Sequence, residues 1–334
     1  MKTLSILAPV YNVAPYLRRC LDSVLQAVAD VADRCEVILV DDGSTDESAA
    51  ICDEYARQHP DLITVYRKAN EGAYPTRNYA MDKASAAFLW LIDPDDKVQP
   101  DAVAQIFETI EKYDDPDIIT MRYRRFNNKS AYGGKLNGTK NEGLVTGVNY
   151  LTHNVPNAYL WCNVYRAAFL KENELRFNDQ LNTQGDWLFN MYAYCKAKRM
   201  CLTNIYAYDY FTGNPNSTLR NPNAKHKRRG VANSLLAIYE FHDFIERSTN
   251  EPYYKALCDH ESITVAGFLY SLYRIKLPAG EVNGILKELR KKGIYPVCYG
   301  TNERGNKFLR YANRRWIFVP GCWWHARRDA LPKT

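Results

Sequence analysis

The sequence predicts an α/β protein: a mostly parallel central sheet with helices on both faces, followed by a mainly helical C-terminal region. Three observations predict it. Apolar strand-like runs alternate with helical periodicity from the N-terminus to Tyr123. The segments joining successive strands are too long for hairpins, so crossovers and parallel neighbours follow. Beyond residue 217 only helical periodicity remains.

Residues 3–8 read as a short apolar strand stopped by Pro9. Leu17, Leu21, Val24, Leu25 and Val28 then mark one apolar helix face. Residues 37–40 form a continuous apolar strand, and 41–46 a turn into a helix over 47–58, with Ser44 or Thr45 as its N-cap. A third strand (62–66), a helix with Pro75 in its first turn (75–83), a fourth strand (88–92), a helix (101–112) and a strand (117–123) continue the alternation. Residues 127–147, rich in Asn, Gly and Lys, read as a long mobile loop. Residues 161–172 read as strand or helix, 185–196 as helix and 200–210 as strand. The run Gly213-Asn214-Pro215-Asn216-Ser217 divides the chain into 1–217 and 218–334, and 231–246, 254–275 and 281–292 are helical by periodicity.

At 334 residues the chain can bury a full core. No stretch approaches the ~20 apolar residues of a membrane-spanning helix, and Met1-Lys2-Thr3 leads straight into a strand, unlike a signal peptide. The nine cysteines include no C-x-x-C pair, and several sit in apolar runs. They read as small buried hydrophobes of a cytoplasmic protein, not as a disulfide framework or zinc site. The net charge of +6 is uneven. The first 120 residues are acid-rich, whereas from Lys287 onward cations dominate, interleaved with Trp316, Phe318, Trp323 and Trp324. A catalytic half followed by a docking tail is expected.

Asp93-Pro94-Asp95-Asp96 directly follows the fourth strand. Crowded carboxylates repel and raise one another's pKa unless a cation compensates, and an oxygen-only donor set favours Mg²⁺ or Mn²⁺. Alone this is a weak signal, since an acidic turn after a strand is ordinarily solvated. Its context strengthens it. Tyr11 and Asn12 end the first strand, Asp41 and Asp42 the second, and Asp93, Asp95 and Asp96 the fourth, on the edge where open α/β sheets bind ligands. Neither G-x-G-x-x-G nor G-x-x-x-x-G-K-[ST] occurs, so a metal must neutralise any diphosphate.

Four segments carry a resemblance: Ala8-Pro9-Val10-Tyr11-Asn12, Val40-Asp41-Asp42-Gly43-Ser44-Thr45-Asp46, Asn70-Glu71-Gly72 with Arg77-Asn78, and Asp93-Pro94-Asp95-Asp96. In order and spacing they resemble family 2 glycosyltransferases, inverting enzymes of the GT-A (nucleotide-diphospho-sugar transferase) fold. The similarity is close over 3–112 and looser to about 218. It implies a nucleotide-sugar half (1–112) and an acceptor half (113–217). The donor nucleotide would be held by Pro9, Tyr11, Asp41, Asp42, Asn70, Gly72, Arg77 and Asp93. Tyr11 would lie on the uracil of a UDP-sugar, Asp42 or Asp41 would take the uracil N3 proton, Asp93 would meet the ribose, and Asp95 would ligate Mn²⁺ or Mg²⁺. An aromatic face stacks on any base, while a carboxylate reading an N–H discriminates among bases.

The resemblance also implies a catalytic base near the start of a later helix, the second of an acidic pair. Thr183-Gln184-Gly185-Asp186-Trp187 matches that segment. Asp186 keeps the position, but Gly185 replaces the preceding acid, leaving the local pKa open. Asn163 stands where the family usually has Lys. Among Arg220, Lys225, His226, Lys227, Arg228 and Arg229 a cation could reach the leaving diphosphate.

The expected activity is transfer from a UDP-sugar to a saccharide or lipid-linked oligosaccharide acceptor in bacterial surface-polysaccharide synthesis. Competing readings are a non-catalytic UDP-sugar binder, prompted by Gly185 and Asn163; a sugar nucleotidyltransferase, which needs a Gly-rich basic loop after the first strand; and a nucleic-acid binder, which the acidic cluster opposes. The cationic, tryptophan-rich tail fits an anionic cytoplasmic membrane surface, placing the chain peripherally on the inner face of the cell membrane.

Overall fold

The computed structural model describes residues 2–127, 142–215, 217, 224–275, 277–297 and 303–328. They form two compact units, 1–220 and 221–334. The first contains β1 (Leu4–Val10), α1 (Ala14–Val28), β2 (Cys35–Asp41), α2 (Ser48–Gln58), β3 (Ile63–Arg67), α3 (Ala73–Lys83), β4 (Phe88–Leu91), β5 (Lys97–Val98) and α4 (Ala102–Lys112). It continues with β6 (Ile118–Phe126), β7 (Gly143–Val145), α5 (Gly147–His153), β8 (Asn163–Arg166), α6 (Ala167–Glu172), α7 (Gly185–Lys196) and β9 (Met200–Phe211).

The strands form one sheet in the order β3-β2-β1-β4-β8-β6-β9-β5, with β7 pairing to β9. β3, β2, β1 and β4 are parallel. β8 runs antiparallel between β4 and β6, β6 and β9 are parallel, and β5 and β7 oppose β9, so the second half of the sheet is mixed. Both alternating sets of side chains are buried in the parallel half: Leu4, Ile6, Val37, Leu39, Phe88 and Trp90 on one face, Ser5, Leu7, Ile38, Val40, Leu89 and Leu91 on the other. Period-two burial of both sets requires cover on both faces. α1 packs with α2 and α4, whereas α3 lies on β1 and β2.

Register aligns the strand ends. Val10 lies beside Asp41, which lies beside Arg67, and the Ile92 N–H reaches the Leu7 carbonyl at 2.9 Å. The loops carrying Tyr11, Asp42 and Asp93 therefore leave from one edge.

Several local expectations are corrected. α2 is not capped by Ser44 or Thr45: the Asp46 carboxylate accepts the Ser48 N–H at 2.9 Å and the Ala14 N–H at 3.1 Å, while Ser44 Oγ accepts the Asn12 N–H. Part of the expected mobile loop is structured, since Gly143–Val145 adds to β9 and Thr146 caps α5 through the Asn149 N–H; residues 128–141 lie outside the described residues. Residues 161–172 contain the end of a 3-10 turn, β8 and α6 in succession.

The second unit contains α8 (Ala224–Arg247), α9 (Tyr254–Ile275), α10 (Ala279–Lys291), α11 (Glu303–Ala312) and α12 (Arg315–Arg328). Leu269, Leu272, Val282, Leu286, Leu289, Phe318 and Cys322 form its core, so α12 is folded onto neighbours instead of trailing as a free tail. Among the described residues eight cysteines are free thiols, seven of them buried. No helix of the described residues is long and apolar enough to cross a membrane.

Candidate active site

Tyr11 follows β1 and is 48% exposed, so it is not a core aromatic. Pro9, within β1, pairs with Val40. Asn12, at φ 50°, accepts the Thr45 N–H at 2.8 Å, which ties the β1 exit to the turn after β2.

Asp42 is buried and committed to the segment that follows β3. Its Oδ1 accepts from Lys68 Nζ (2.9 Å) and the Glu71 N–H (3.0 Å), and its Oδ2 from the Gly72 N–H (2.9 Å). Asn70 Nδ2 adds a bond to the Asp42 carbonyl. Gly72 sits at φ 99°, where a side chain would be strained. Asp41, also buried, accepts the Ser44 N–H through Oδ1 at 3.1 Å. Of the two aspartates Asp41 is the less engaged.

The acidic turn after β4 is held by α1 and the end of β9. The Asp93 N–H donates to the Tyr208 hydroxyl at 2.9 Å, and Arg19 Nη2 donates to the Asp95 carbonyl at 2.6 Å. Asn214 Nδ2 donates to Asp95 Oδ2 at 2.9 Å, and the Phe211 N–H to Asp96 Oδ1 at 2.6 Å. Asp96 is fully buried, and its Oδ2 has no hydrogen-bond partner among the described residues. Burial, then the charges of Asp95 and Asp93, push its carboxyl well above the usual range.

Arg77 joins this turn to α7. Its Nη2 bonds Asp93 Oδ1 and its Nη1 bonds Asp186 Oδ1, both at 2.6 Å. The guanidinium is buried beside the Tyr74 and Phe177 rings. Asn78, one residue on, clamps Phe177 through bonds to both its carbonyl and its N–H. Arg77 is therefore a strut between two carboxylates, not a surface ion pair. Asp186 itself, in the first turn of α7, is 30% exposed at its side chain. Burial raises its pKa to about 6, with Asp93 adding to the rise and Arg77 opposing it.

Of two departures in the sequence, one acquires a physical cause. Gly185 is required because a Cβ there would meet the Tyr74 ring at 2.6 Å. Asn163 is fully buried and its Nδ2 donates to the Tyr165 and Tyr194 hydroxyls, while its Oδ1 has no hydrogen-bond partner among the described residues. Arg228 pairs with Glu281 within the second unit; Arg220 and the side chains of Lys225, His226 and Lys227 lie outside the described residues.

Sequence reasoning did not single out Arg19, Tyr74 or Asn214. Asn214 lay within the segment taken as a boundary, and nothing local marks the other two. Among the described residues no three His, Cys, Asp or Glu side chains form a ready metal cage. The donor set still fits Mg²⁺ or Mn²⁺, which bind through one or two carboxylates completed by substrate phosphates: the oxygens are carboxylate only, and one of them, on Asp96, is buried and orphaned.

Fold and site define an α/β protein with its acidic centre at the carboxyl edge of a parallel half-sheet. The profile described as glycosyl transferase family 2 matches residues 5–173, half of the chain, and the chain belongs to that family. It is 25% identical over 309 residues to the poly(ribitol-phosphate) beta-glucosyltransferase of Bacillus spizizenii, covering 92% of this chain and 44% of that protein. It is 26% identical over 212 residues to the poly(ribitol-phosphate) beta-N-acetylglucosaminyltransferase TarS of Staphylococcus aureus, covering 64% and 36%. The chain thus spans less than half the length of either. The crystal structure of S. aureus TarS 1-349 in complex with UDP-GlcNAc superposes with a TM-score of 0.67 at 20% identity, covering 100% of this chain and 93% of that one, and shares its fold.

Proposed function

We propose that this chain is a metal-dependent inverting glycosyltransferase that moves a sugar from a UDP-sugar to a hydroxyl of a saccharide or lipid-linked oligosaccharide acceptor, in assembly of a bacterial surface polymer. The observation that carries the reading is the Arg77 strut, which sets a carboxyl of raised pKa beside the strand ends that gather the donor residues. The names of the two relatives support a polymer acceptor, and the UDP-GlcNAc held by the structural neighbour supports a uridine donor.

In this reading Tyr11 stacks on uracil, Asp41 or Asp42 accepts a hydrogen bond from its N3–H, Pro9, Asn70 and Gly72 shape that pocket, and Asp93 meets the ribose. Residues 1–112 serve the donor and 113–217 the acceptor. Asp95 would hold Mn²⁺ or Mg²⁺ against the diphosphate, where the ion supplies positive charge to the leaving group. Asp186 accepts the proton of the acceptor hydroxyl as that oxygen bonds the anomeric carbon and the bond to UDP breaks on the opposite face. A pKa near 6 keeps Asp186 ionised at neutral pH yet basic enough to take the proton. Packing against Tyr74 accounts for Gly185, one of the two departures that prompted a non-catalytic reading, and this supports Asp186 as the base.

Incubation with Mn²⁺ and a panel of UDP-sugars tests the proposal. Slow release of UDP from one donor is expected, abolished in Asp186→Asn with UDP binding retained. Binding without release from any donor would favour the non-catalytic relative.

A second reading concerns placement. On α12 Trp316 is 76% and Trp324 59% exposed, and Arg314, just before the helix, is exposed as well. Beside Trp316 lies a largely apolar groove of about 620 Å³ bordered by Ala279, Val319, Pro320 and Arg315. Exposed tryptophans with cations favour an anionic membrane surface. Flotation with anionic liposomes should recover the protein and neutral liposomes should not; equal recovery would remove this reading.

A further inference from the structure

Tyr74 is a buried phenol on α3 to which the reaction described above gives no part. α7 begins without a side-chain cap: Gln184 takes the left-handed conformation at φ 69° and contributes no capping bond. The first N–H groups of a helix lack partners within it and need one from elsewhere. The Tyr74 hydroxyl supplies it, accepting the Gly185 N–H at 2.9 Å across 111 residues of sequence.

The ring is as constrained as the hydroxyl. It stacks on Phe177 at 5.6 Å and 6° between planes, and Phe177 stacks in turn on Phe189 of α7 at 4.2 Å. Its flat side leaves no room at position 185 for any side chain. Ring and hydroxyl together fix the turn in which the next residue is Asp186. We propose that Tyr74 is the positioning residue of Asp186, its hydroxyl capping the first turn of α7 and its ring filling the space a side chain at 185 would take. The proposal rests on the reading of Asp186 as the catalytic base.

The groups facing Asp186 are Arg77 and Tyr74 from α3, Asp93 beyond β4 and Tyr165 on β8. Tyr74 and Arg77 favour the carboxylate, while burial and Asp93 oppose it. Removing the phenol hydroxyl therefore makes the carboxyl harder to ionise.

Tyr74→Phe, made in the full chain beside Asp186→Asn, tests this. Tyr74→Phe should lower kcat about tenfold, part of the ~10²–10⁴ that a general base contributes. KM for the UDP-sugar should stay within about twofold, and the acid limb of the kcat/KM profile should move to higher pH. A folded Tyr74→Phe with wild-type kcat and an unmoved limb overturns the proposal and leaves Asp186 standing. Undiminished turnover in Asp186→Asn instead removes the reading beneath it. If Tyr74→Phe fails to fold, Gly185→Ala, which keeps the hydroxyl and displaces the ring, should lower kcat about tenfold with KM for the UDP-sugar within about twofold; a folded Gly185→Ala with wild-type kcat overturns the proposal.

Discussion

Arg77 and Asp186 are joined Nη1 to Oδ1 at 2.6 Å although 109 residues separate them, and the same guanidinium holds Asp93. The acidic turn after β4 and the candidate base are thus tied to one side chain. A planar fork fixes the directions in which it meets two carboxylates; an ammonium is a point charge on a shorter-reaching stem and does not hold them in that geometry. Arg77→Lys should therefore lower kcat/KM about a hundredfold, in line with the cost of a small misplacement. Its Tm should also fall by several degrees, because breaking a buried pair destabilises by about 3 kcal/mol or more. Steady-state kinetics and a thermal melt check both.

The raised pKa of Asp186 sets two signs. Activity requires the carboxylate, so kcat/KM should rise with pH through about 6 and then level. For stability the sign is opposite. Between the ordinary carboxyl pKa of 3.8 and about 6 the unfolded chain has released a proton that the folded one keeps, so Asp186's contribution falls as pH rises through that window. Asp186→Asn should then lose transfer by at least about a hundredfold while its Tm at pH 7 is no lower than wild type, since Arg77 keeps Asp93 as its buried counter-charge. A large loss of Tm would show that the carboxylate holds α7 in place.

Asp42 separates a structural role from a nucleotide-reading one. Its ion pair with Lys68 is nearly closed to solvent, at 3% and 13% side-chain exposure, and its oxygens also accept the Glu71 and Gly72 N–H groups. Asp42→Ala leaves those donors unsatisfied and should destabilise the fold by about 3–5 kcal/mol. Denaturant unfolding measures it. A near-neutral Asp42→Ala with lost uridine selectivity would return Asp42 to the nucleotide.

Much of the first 112 residues was legible because local rules agree there. Leu17, Leu21 and Val24 are buried on one face of α1, and strand after strand is apolar and ends in polar residues at the shared edge. The antiparallel insertion of β8 was not legible, since four residues between a 3-10 turn and α6 carry no period that fixes direction. β7 was hidden by polar loop composition. The cap of α2 was misjudged because Asp46, two residues before the helix, outcompetes Ser44, which bonds Asn12 instead. At the site, the resemblance placed the residues on the strand ends but not their mutual bonds. That Arg77 would bridge Asp93 to Asp186, and that Tyr74 would demand Gly185, depends on long-range packing no local pattern encodes.

The acidic turn offers a further contrast. Asp95 Oδ2 is held by Asn214 from beyond β9, and Arg19 donates to the Asp95 carbonyl. Asp95→Ala therefore leaves the turn's backbone anchors in place, and the unfolding free energy should shift by less than about 1 kcal/mol. Turnover with Mn²⁺ should nevertheless fall below detection. Retained turnover in Asp95→Ala would transfer the metal assignment away from this residue.

Titration calorimetry of UDP into the protein, with and without Mn²⁺, bears most directly on the central claim. The account predicts cation-dependent binding that survives in Asp186→Asn and disappears in Asp95→Ala. Absence of UDP binding in the presence of Mn²⁺, or binding indifferent to both the ion and Asp95, would contradict it.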